Sequence, residues 1–137
     1  MVDIRQAQRA DHDRIQQLWL ETGLGRMSDE EWTAISAAPA TTVLIATDAG
    51  KLVGSAVASF DGWRAYIYHV AVTEAARGKG VAKALMQSAE KRLVGKGARR
   101  IFVMVNENNT AGLALSTSMG YQPEGDVVLV KELARSS

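Results

Sequence analysis

A glycine-rich turn between a strand-like run and a helix-like run constrains this chain most. The apolar run Val70-Ala71-Val72 leads into Arg77-Gly78-Lys79-Gly80, and apolar residues then follow at helical spacing as far as Leu93. The first N–H groups of a helix lack an intrahelical partner, and the helix dipole adds positive charge there. Glycines permit positive φ angles and let an anion approach the backbone. The segment therefore predicts an anion-binding strand, turn and helix.

Two well-known phosphate loops fit this turn less well. A Walker loop ends in Gly-Lys-Ser/Thr, whereas Lys79 is followed by Gly80. A dinucleotide fingerprint needs a third glycine, and Lys83 stands at that position. Arg77, Lys79 and Lys83 supply positive charge around the turn. A tight strand-to-helix connection without a ligand is the alternative interpretation.

Composition limits the chemistry further. The chain has 137 residues, 47% of them hydrophobic and 23% charged, which predicts one domain over residues 1–137. The absence of cysteine excludes thiol nucleophiles, thiolate metal sites and a disulfide scaffold, and two histidines argue against a metal site. A net charge of +1 gives no field to attract nucleic acid or an anionic membrane. The polar N-terminus and short apolar runs predict no membrane span and no signal peptide, so a cytoplasmic protein is expected.

Periodicity predicts a mixed order of strands and helices. The predicted strands are Ile4–Gln8, Thr42–Thr47, Lys51–Phe60, Tyr66–Val72, a fully buried Ile101–Val105 and a last strand Val127–Leu133. The predicted helices start at Asp11, at Ser28, at Gly80 and at Asn109. The three central strands, joined by short glycine-containing turns, form an antiparallel meander. The sequence therefore predicts an α/β domain.

Two segments together carry a resemblance to a known family. The residues Arg77-Gly78-Lys79-Gly80-Val81-Ala82 match the R/Q-x-x-G-x-G/A motif, and Asn109 to Tyr121 is similar to the N-x-x-A-x-x-L-Y-x-x-x-G-F/Y element. Both belong to the GNAT superfamily of acyl-CoA-dependent N-acetyltransferases, and the resemblance extends over nearly the whole chain. The turn Asp61-Gly62-Trp63-Arg64 and Tyr68 also resemble the small bacterial YpeA-like branch.

The resemblance implies a fold and a reaction. The expected fold is a single-domain α/β structure with a mixed, mostly antiparallel sheet flanked by helices. The expected reaction moves the acetyl group of acetyl-CoA to a primary amine by direct attack, without a metal. The acceptor is a small molecule or a peptide amine, and the family allows a homodimer. In relatives the first two helices line the acceptor pocket, where Met27 and Trp32 would lie.

The resemblance also implies a cofactor site. Backbone groups of the strand Val70-Ala71-Val72 pair with the pantetheine arm, and the backbone N–H of Val70 is the family's oxyanion donor. The pyrophosphate is cradled by the run Arg77, Gly78, Lys79, Gly80, Val81, Ala82 and Lys83. Asn109 lies near the pantetheine. The motif strand and the next strand splay apart to admit the cofactor.

The residues that perform the chemistry depart from the family pattern. Counting from Asn109, Gly112 takes the place of the family's alanine and Ser116 that of the tyrosine that protonates the leaving thiolate. A serine hydroxyl is a weaker proton donor than a phenol, so Ser116 is expected only to hydrogen-bond the sulfur. Tyr68 becomes the first candidate for protonating the thiolate or ordering water.

Strand alternation assigns the side chains of the motif strand to two faces. One face is expected to carry Tyr66, Tyr68, Val70 and Val72, and the other Ile67, His69 and Ala71. This alternation turns His69 away from the cofactor and predicts a structural histidine. Two other functions stay open: a GNAT-fold module that senses CoA without transfer, which Ser116 favours, and a domain that binds another nucleotide.

Overall fold

A five-stranded sheet with helices on both faces forms the body of the protein. The computed structural model describes residues 2–134. The strands are β1 (Asp3–Gln6), β2 (Thr41–Asp48), β3 (Lys51–Phe60), β4 (Ala65–Val72) and β5 (Ile101–Val103). The helices are α1 (His12–Glu21), α2 (Asp29–Ala37), α3 (Val81–Gly95) and α4 (Thr110–Ser118), and short 3₁₀ helices cover Arg9–Asp11 and Glu74–Ala76.

The strands follow one another across the sheet in chain order. β1 to β4 are antiparallel neighbours, whereas β5 runs parallel to β4. The parallel pair needs a crossover connection, and α3 provides it. The expected α/β fold with a mixed, mostly antiparallel sheet is therefore confirmed.

Each face of the sheet carries its own apolar cluster. α1 and α2 cover one face with Ile15, Leu18, Trp19 and Trp32. α3 covers the other face with Val81, Leu85, Ala89 and Leu93. The two clusters hold β4 between them, so its backbone is fixed from both sides.

Gly54 on β3 brings α3 close to the sheet. A Cβ at this position would lie 2.9 Å from a methyl of Leu85, 3.0 Å from the carbonyl oxygen of Ala71 and 3.1 Å from a methyl of Val81. Such distances are too short for carbon, so a larger residue would force the first turn of α3 outward. Because glycine has no side chain, Gly54 allows the start of α3 to lie close to β4.

Asp11 joins the start of α1 to β1. Its buried carboxylate accepts hydrogen bonds from both terminal nitrogens of Arg5 (2.8 and 3.0 Å), from Arg14 (2.6 Å) and from the backbone of Gln8 (2.7 Å). The hydrogen bonds from Arg5 are the main cause that holds the pKa of this carboxyl far below its usual value. The predicted N-cap residue thus anchors α1 on the sheet rather than capping it through its own side chain.

The structure corrects two of the predicted strands. The last strand, Val127–Leu133, is wrong, because these residues have no regular structure. Apolar and β-branched residues favour a strand, but a strand also needs an edge to pair with. The strand predicted as Ile101–Val105 ends at Val103, and its residues are partly rather than fully buried. β5 is one of the two outer strands of the described sheet, so its outer edge pairs with no other strand of that sheet.

Candidate functional site

A β-bulge in β4 changes which side chains face the cluster under α1 and α2 and which face the cluster under α3. Val57 lies opposite Tyr68 and Ser55 opposite Ala71, so two residues of β4 face a single residue of β3. One of the two, His69, has a φ angle of +51°, in the left-handed region. An extra residue in one strand shifts the alternation of every side chain beyond it.

The predicted faces of β4 are therefore wrong beyond Tyr68. Tyr68 packs against the cluster under α1 and α2, whereas Val70 and Val72 pack against the cluster under α3. His69 lies on the side of Tyr68, because its ring meets the rings of Trp19 and Tyr68 edge-on at 4.9 and 5.5 Å. Strict alternation had predicted that His69 points away from the site. In the structure, His69 lies beside Tyr68, the first candidate for protonating the thiolate. No pattern in the sequence signals the bulge.

Surrounding groups hold His69 in this unusual conformation. The hydroxyl of Ser55 donates to the carbonyl of His69 (3.0 Å) and accepts from the indole N–H of Trp19 (2.9 Å). Burial lowers the pKa of the His69 imidazole, and a hydrogen bond to the backbone carbonyl of Leu24 partly opposes that effect. The ring is therefore neutral at neutral pH, and one nitrogen keeps a lone pair.

Tyr68 is half-buried against the cluster under α1 and α2. Burial raises the pKa of its phenol, so the hydroxyl stays protonated at neutral pH. Met27, Ile35 and Leu24 pack against the same cluster. The side chain can therefore donate a proton or a hydrogen bond in partly apolar surroundings, as the expected role requires.

The wall formed by α1 and α2 contains a polar group without a partner. Trp32 stacks on His12 with ring centroids 4.7 Å apart. Its indole N–H is buried and has no hydrogen-bond partner within residues 2–134. Gln16 closes the loop between the helices by accepting from the backbone N–H of Met27 (3.0 Å).

β4 and β5 separate as the expected site requires. Their pairing covers only Ala65–Ile67 and Ile101–Val103, and the backbone N–H of Met104 makes one more hydrogen bond to Ile67. β4 continues to Val72 on the β3 side alone. Its backbone from residue 68 to 72 thus faces a gap on the side of β5.

The glycine-rich turn lies at the open end of this gap. Gly78 and Gly80 have φ angles of +76° and +80°, which side chains rarely adopt. A Cβ at either position would meet no atom within 4 Å, so the space above the backbone is open. Gly80 is the N-cap of α3, and the first hydrogen bond of the helix runs from Ala84 to its carbonyl.

Charged and apolar residues of the turn divide between solvent and core. Val81 is buried in the cluster below α3 and fixes the helix start. Arg77, Lys79 and Lys83 are exposed around the turn. Arg77 also donates from its Nε to the carbonyl of Val72 (3.2 Å), so it closes the corner between β4 and the turn. The arrangement combines fixed N–H groups with mobile cations, as an anion site requires.

α4, with its N-cap, carries Asn109 and Ser116, the remaining residues that the resemblance implies for the site. The side-chain oxygen of Asn109 caps the helix by accepting from the N–H of Gly112 (2.9 Å). A Cβ at Gly112 would lie 2.6 Å from the amide nitrogen of Asn109, which gives a physical reason for glycine where the family has alanine. Ser116 is buried in the helix. Tyr121 ties the end of this segment to α3 by donating to Glu90 (2.7 Å).

Residues 2–134 contain neither a cluster suited to a metal ion nor a helix that could span a membrane. Between residues 2 and 134 there is no group of three or more histidine, cysteine, aspartate and glutamate residues suited to a metal ion. Over the same range, every helix is too short or too polar to cross a bilayer.

Known proteins are similar to this chain in sequence. The sequence model of the acetyltransferase (GNAT) family matches residues 3–121. An acetyltransferase of Yersinia enterocolitica is 33% identical over 90 residues, which make up 66% of this chain and 64% of that protein. One from Pectobacterium atrosepticum is 34% identical over the same shares of the two chains. The chain thus matches slightly less than two thirds of these relatives' length.

Solved structures of other proteins have a fold similar to that of this chain. The aminoglycoside acetyltransferase AAC(6')-Iy, bound to a bisubstrate analogue of CoA and acetylneamine, has a TM-score of 0.81 and 21% identity, with 98% of this chain and 99% of that chain covered. A ribosomal-protein-alanine N-acetyltransferase from Brucella melitensis has a TM-score of 0.79 and 19% identity, covering 96% and 99% of the two chains. The family match, which spans most of the sequence and includes the glycine-rich turn, shows that this chain belongs to the GNAT acetyltransferase family.

Proposed function

We propose that the protein transfers an acetyl group from acetyl-CoA to a primary amine. The observation that carries the proposal is the glycine-rich turn at the open end of the gap between β4 and β5. The turn offers N–H groups and cations to a pyrophosphate, and the free edge of β4 offers backbone groups to an extended arm. A neighbour of the same fold binds CoA, which supports this choice of ligand.

The proposal assigns a role to each part of the cofactor site. The turn from Arg77 to Lys83 binds the pyrophosphate, and the backbone of Val70-Ala71-Val72 pairs with the pantetheine arm. Asn109 faces that arm from the start of α4. The backbone N–H of Val70 stabilises the negative charge that develops on the acetyl oxygen. A backbone donor does not depend on which side chain stands at its position.

The transfer step forms one bond and breaks another. The neutral amine nitrogen attacks the acetyl carbon, the carbon–sulfur bond breaks, the nitrogen loses a proton and the thiolate gains one. An alkyl amine has a pKa of about 10.4 in water, so the site must remove a proton before attack. The neutral imidazole of His69 is the base in this proposal, directly or through a water, and Tyr68 donates to the sulfur.

A second candidate function rests on Ser116. The hydroxyl at the position of the family's proton donor is a weak acid and lies buried in α4. A module that binds acetyl-CoA as a sensor would need the turn but not the acid. A screen of small and peptide amines distinguishes the two functions when the release of free thiol is measured. Thiol release above the rate without amine supports transfer, and binding without release across the panel supports sensing.

Tyr68→Phe should lower kcat with an amine that the screen identifies, by about 100-fold, because removing a general acid costs 10²–10⁴ in rate. The KM for acetyl-CoA should change less than about twofold, since the ring keeps its packing. Tyr66→Phe is the matched control, because Tyr66 stacks on Phe102 farther from the bulge. Steady-state rates of both variants check the prediction. Equal rates for Tyr68→Phe and the wild type would remove Tyr68 from the mechanism.

A further inference from the structure

Two buried hydrogen bonds in series join α1 to the bulge of β4. The indole N–H of Trp19 donates to the hydroxyl oxygen of Ser55 (2.9 Å), and the same hydroxyl donates to the carbonyl of His69 (3.0 Å). Trp19 is 1% exposed and Ser55 is 0% exposed, so water cannot take the place of either group. One hydroxyl on β3 therefore links α1 to β4.

The donors and acceptors of this series can be arranged in only one way. An indole nitrogen donates and does not accept, so the oxygen of Ser55 must accept from Trp19. A hydroxyl has a single proton, and the carbonyl of His69 can only accept it. The hydroxyl therefore has a fixed direction, with its proton toward β4.

The bulge explains why a carbonyl of β4 needs a side chain as its partner. An extra residue in one strand disrupts the backbone pairing locally, and a carbonyl that loses its backbone partner needs another one. His69 also has a φ angle of +51°, a strained conformation that persists only where the surrounding groups hold it. The hydroxyl of Ser55 supplies both the partner and the hold.

The peptide group between His69 and Val70 transmits this hold to the next backbone N–H. No peptide bond between residues 2 and 134 is cis, and a trans peptide group is planar, so its carbonyl and its N–H point in opposite directions. The carbonyl of His69 points toward Ser55 on β3. The N–H of Val70 therefore points away from β3, to the side on which β4 is not paired with β5.

We propose that Ser55 is a positioning residue that aims the backbone N–H of Val70 at the acetyl oxygen, with Trp19 fixing its hydroxyl. This inference rests on the proposed function, which makes acetyl-CoA the ligand and Val70 the donor to the oxygen. A donor stabilises the transition state most when it is already oriented toward the developing charge. A fully paired polar network in an apolar core keeps such an orientation.

The first test uses acetyl-CoA labelled with ¹³C at the acetyl carbonyl and needs no acceptor. An N–H aimed at the oxygen draws electron density from the carbonyl carbon and moves its NMR signal downfield. The signal should lie downfield of free acetyl-CoA when the ligand is bound to the wild type, and Ser55→Ala should remove most of that shift. The Kd for acetyl-CoA should change less than about fivefold, since one neutral hydrogen bond contributes little.

Ser59→Ala is the matched control. Ser59 lies on the same strand, and its hydroxyl shares a hydrogen bond with the hydroxyl of Thr41 (3.0 Å) instead of a bond to β4. This variant should keep the full shift. If Ser55→Ala does not fold, Ser55→Thr and Ser55→Val provide the comparison, because the two side chains have the same shape and only threonine keeps a hydroxyl. The threonine variant should then show the shift and the valine variant should not.

The outcomes distinguish this inference from the proposed function. If acetyl-CoA does not bind the wild type, both are overturned. If it binds with the carbonyl signal of free acetyl-CoA, or with the same shift in Ser55→Ala as in the wild type, the role of Ser55 is overturned and the cofactor site stands. The same holds if Ser59→Ala loses the shift to the same extent as Ser55→Ala.

The second test separates Ser55 from the imidazole of His69 at the same bulge. With an amine that the screen identifies, Ser55→Ala should lower kcat about 10- to 100-fold, a part of the 10²–10³ that an oxyanion donor contributes. The pH at which kcat is half-maximal should not move, because the imidazole keeps its hydrogen bond to the carbonyl of Leu24. An unchanged kcat, or a loss that a shifted pH profile accounts for, overturns the assigned role.

Discussion

Gly80→Glu should reduce the affinity for acetyl-CoA by about 100-fold or more, equivalent to about 2.7 kcal/mol of binding free energy. Gly80 has a φ angle of +80°, so a side chain there strains the backbone. The space above it is open, so the new carboxylate would occupy the volume assigned to the pyrophosphate. It would also bring negative charge to the helix N-terminus that attracts the anion. Isothermal titration of the variant with acetyl-CoA measures the effect.

A glycine elsewhere in the chain separates backbone strain from ligand contact. Gly50, in the turn between β2 and β3, has a φ angle of +81°, and a Cβ there also meets no atom within 4 Å. Gly50→Glu should therefore lose similar stability to Gly80→Glu while binding acetyl-CoA with wild-type affinity. Wild-type affinity in Gly80→Glu would show that the cofactor does not bind at this turn.

Asp11→Asn should destabilise the fold by about 2–3 kcal/mol at pH 7, because the amide cannot accept the hydrogen bonds of two arginines and leaves a buried polar group poorly paired. The arginine side chains of Arg5 and Arg14 are about half exposed, which keeps the cost below that of a fully buried pair. Urea unfolding of both proteins gives the difference. Asp13→Asn is the control, because Asp13 is exposed in the same helical turn and should change stability by about 0.5 kcal/mol.

The contribution of Asp11 to the stability of the fold should also depend on pH. Its pKa is lowered on folding, chiefly by the hydrogen bonds from Arg5, so the stabilisation is fully present above the unfolded pKa of about 3.9. It is lost as the pH falls from there toward the lower pKa of the folded state. The difference between wild type and Asp11→Asn should therefore shrink between pH 5 and pH 2, to about half or less. A difference that stays constant over this range would contradict the assigned role.

Local patterns in the sequence predicted the parts of the fold that local physics determines. The helical spacing of the apolar residues as far as Leu93 predicted the buried face of α3, and the glycines at 78 and 80 predicted where that helix starts. The first prediction depends on the period of a helix, and the second depends on the positive φ angles that glycine residues permit. The glycine-rich turn and the helix that follows it could therefore be predicted from the sequence alone.

Features that arise between distant segments were not predicted. The bulge at His69 depends on how β4 aligns with β3, where Ser55 donates to the His69 carbonyl, and no local pattern encodes that alignment. Strict alternation consequently assigned His69, Val70 and Val72 to the wrong faces. The same reason explains the error at Val127–Leu133, because strand-forming residues do not reveal whether an edge is available to pair with.

Calorimetric titration of the wild-type protein with acetyl-CoA, CoA and ATP in parallel tests the central claim most directly. The account predicts one site per chain for acetyl-CoA and for CoA, with ATP at least about tenfold weaker, since ATP carries phosphates for the turn but no pantetheine arm for β4. Absence of CoA binding, or equal affinity for ATP, would contradict the assignment of the turn and the gap beside it to acetyl-CoA.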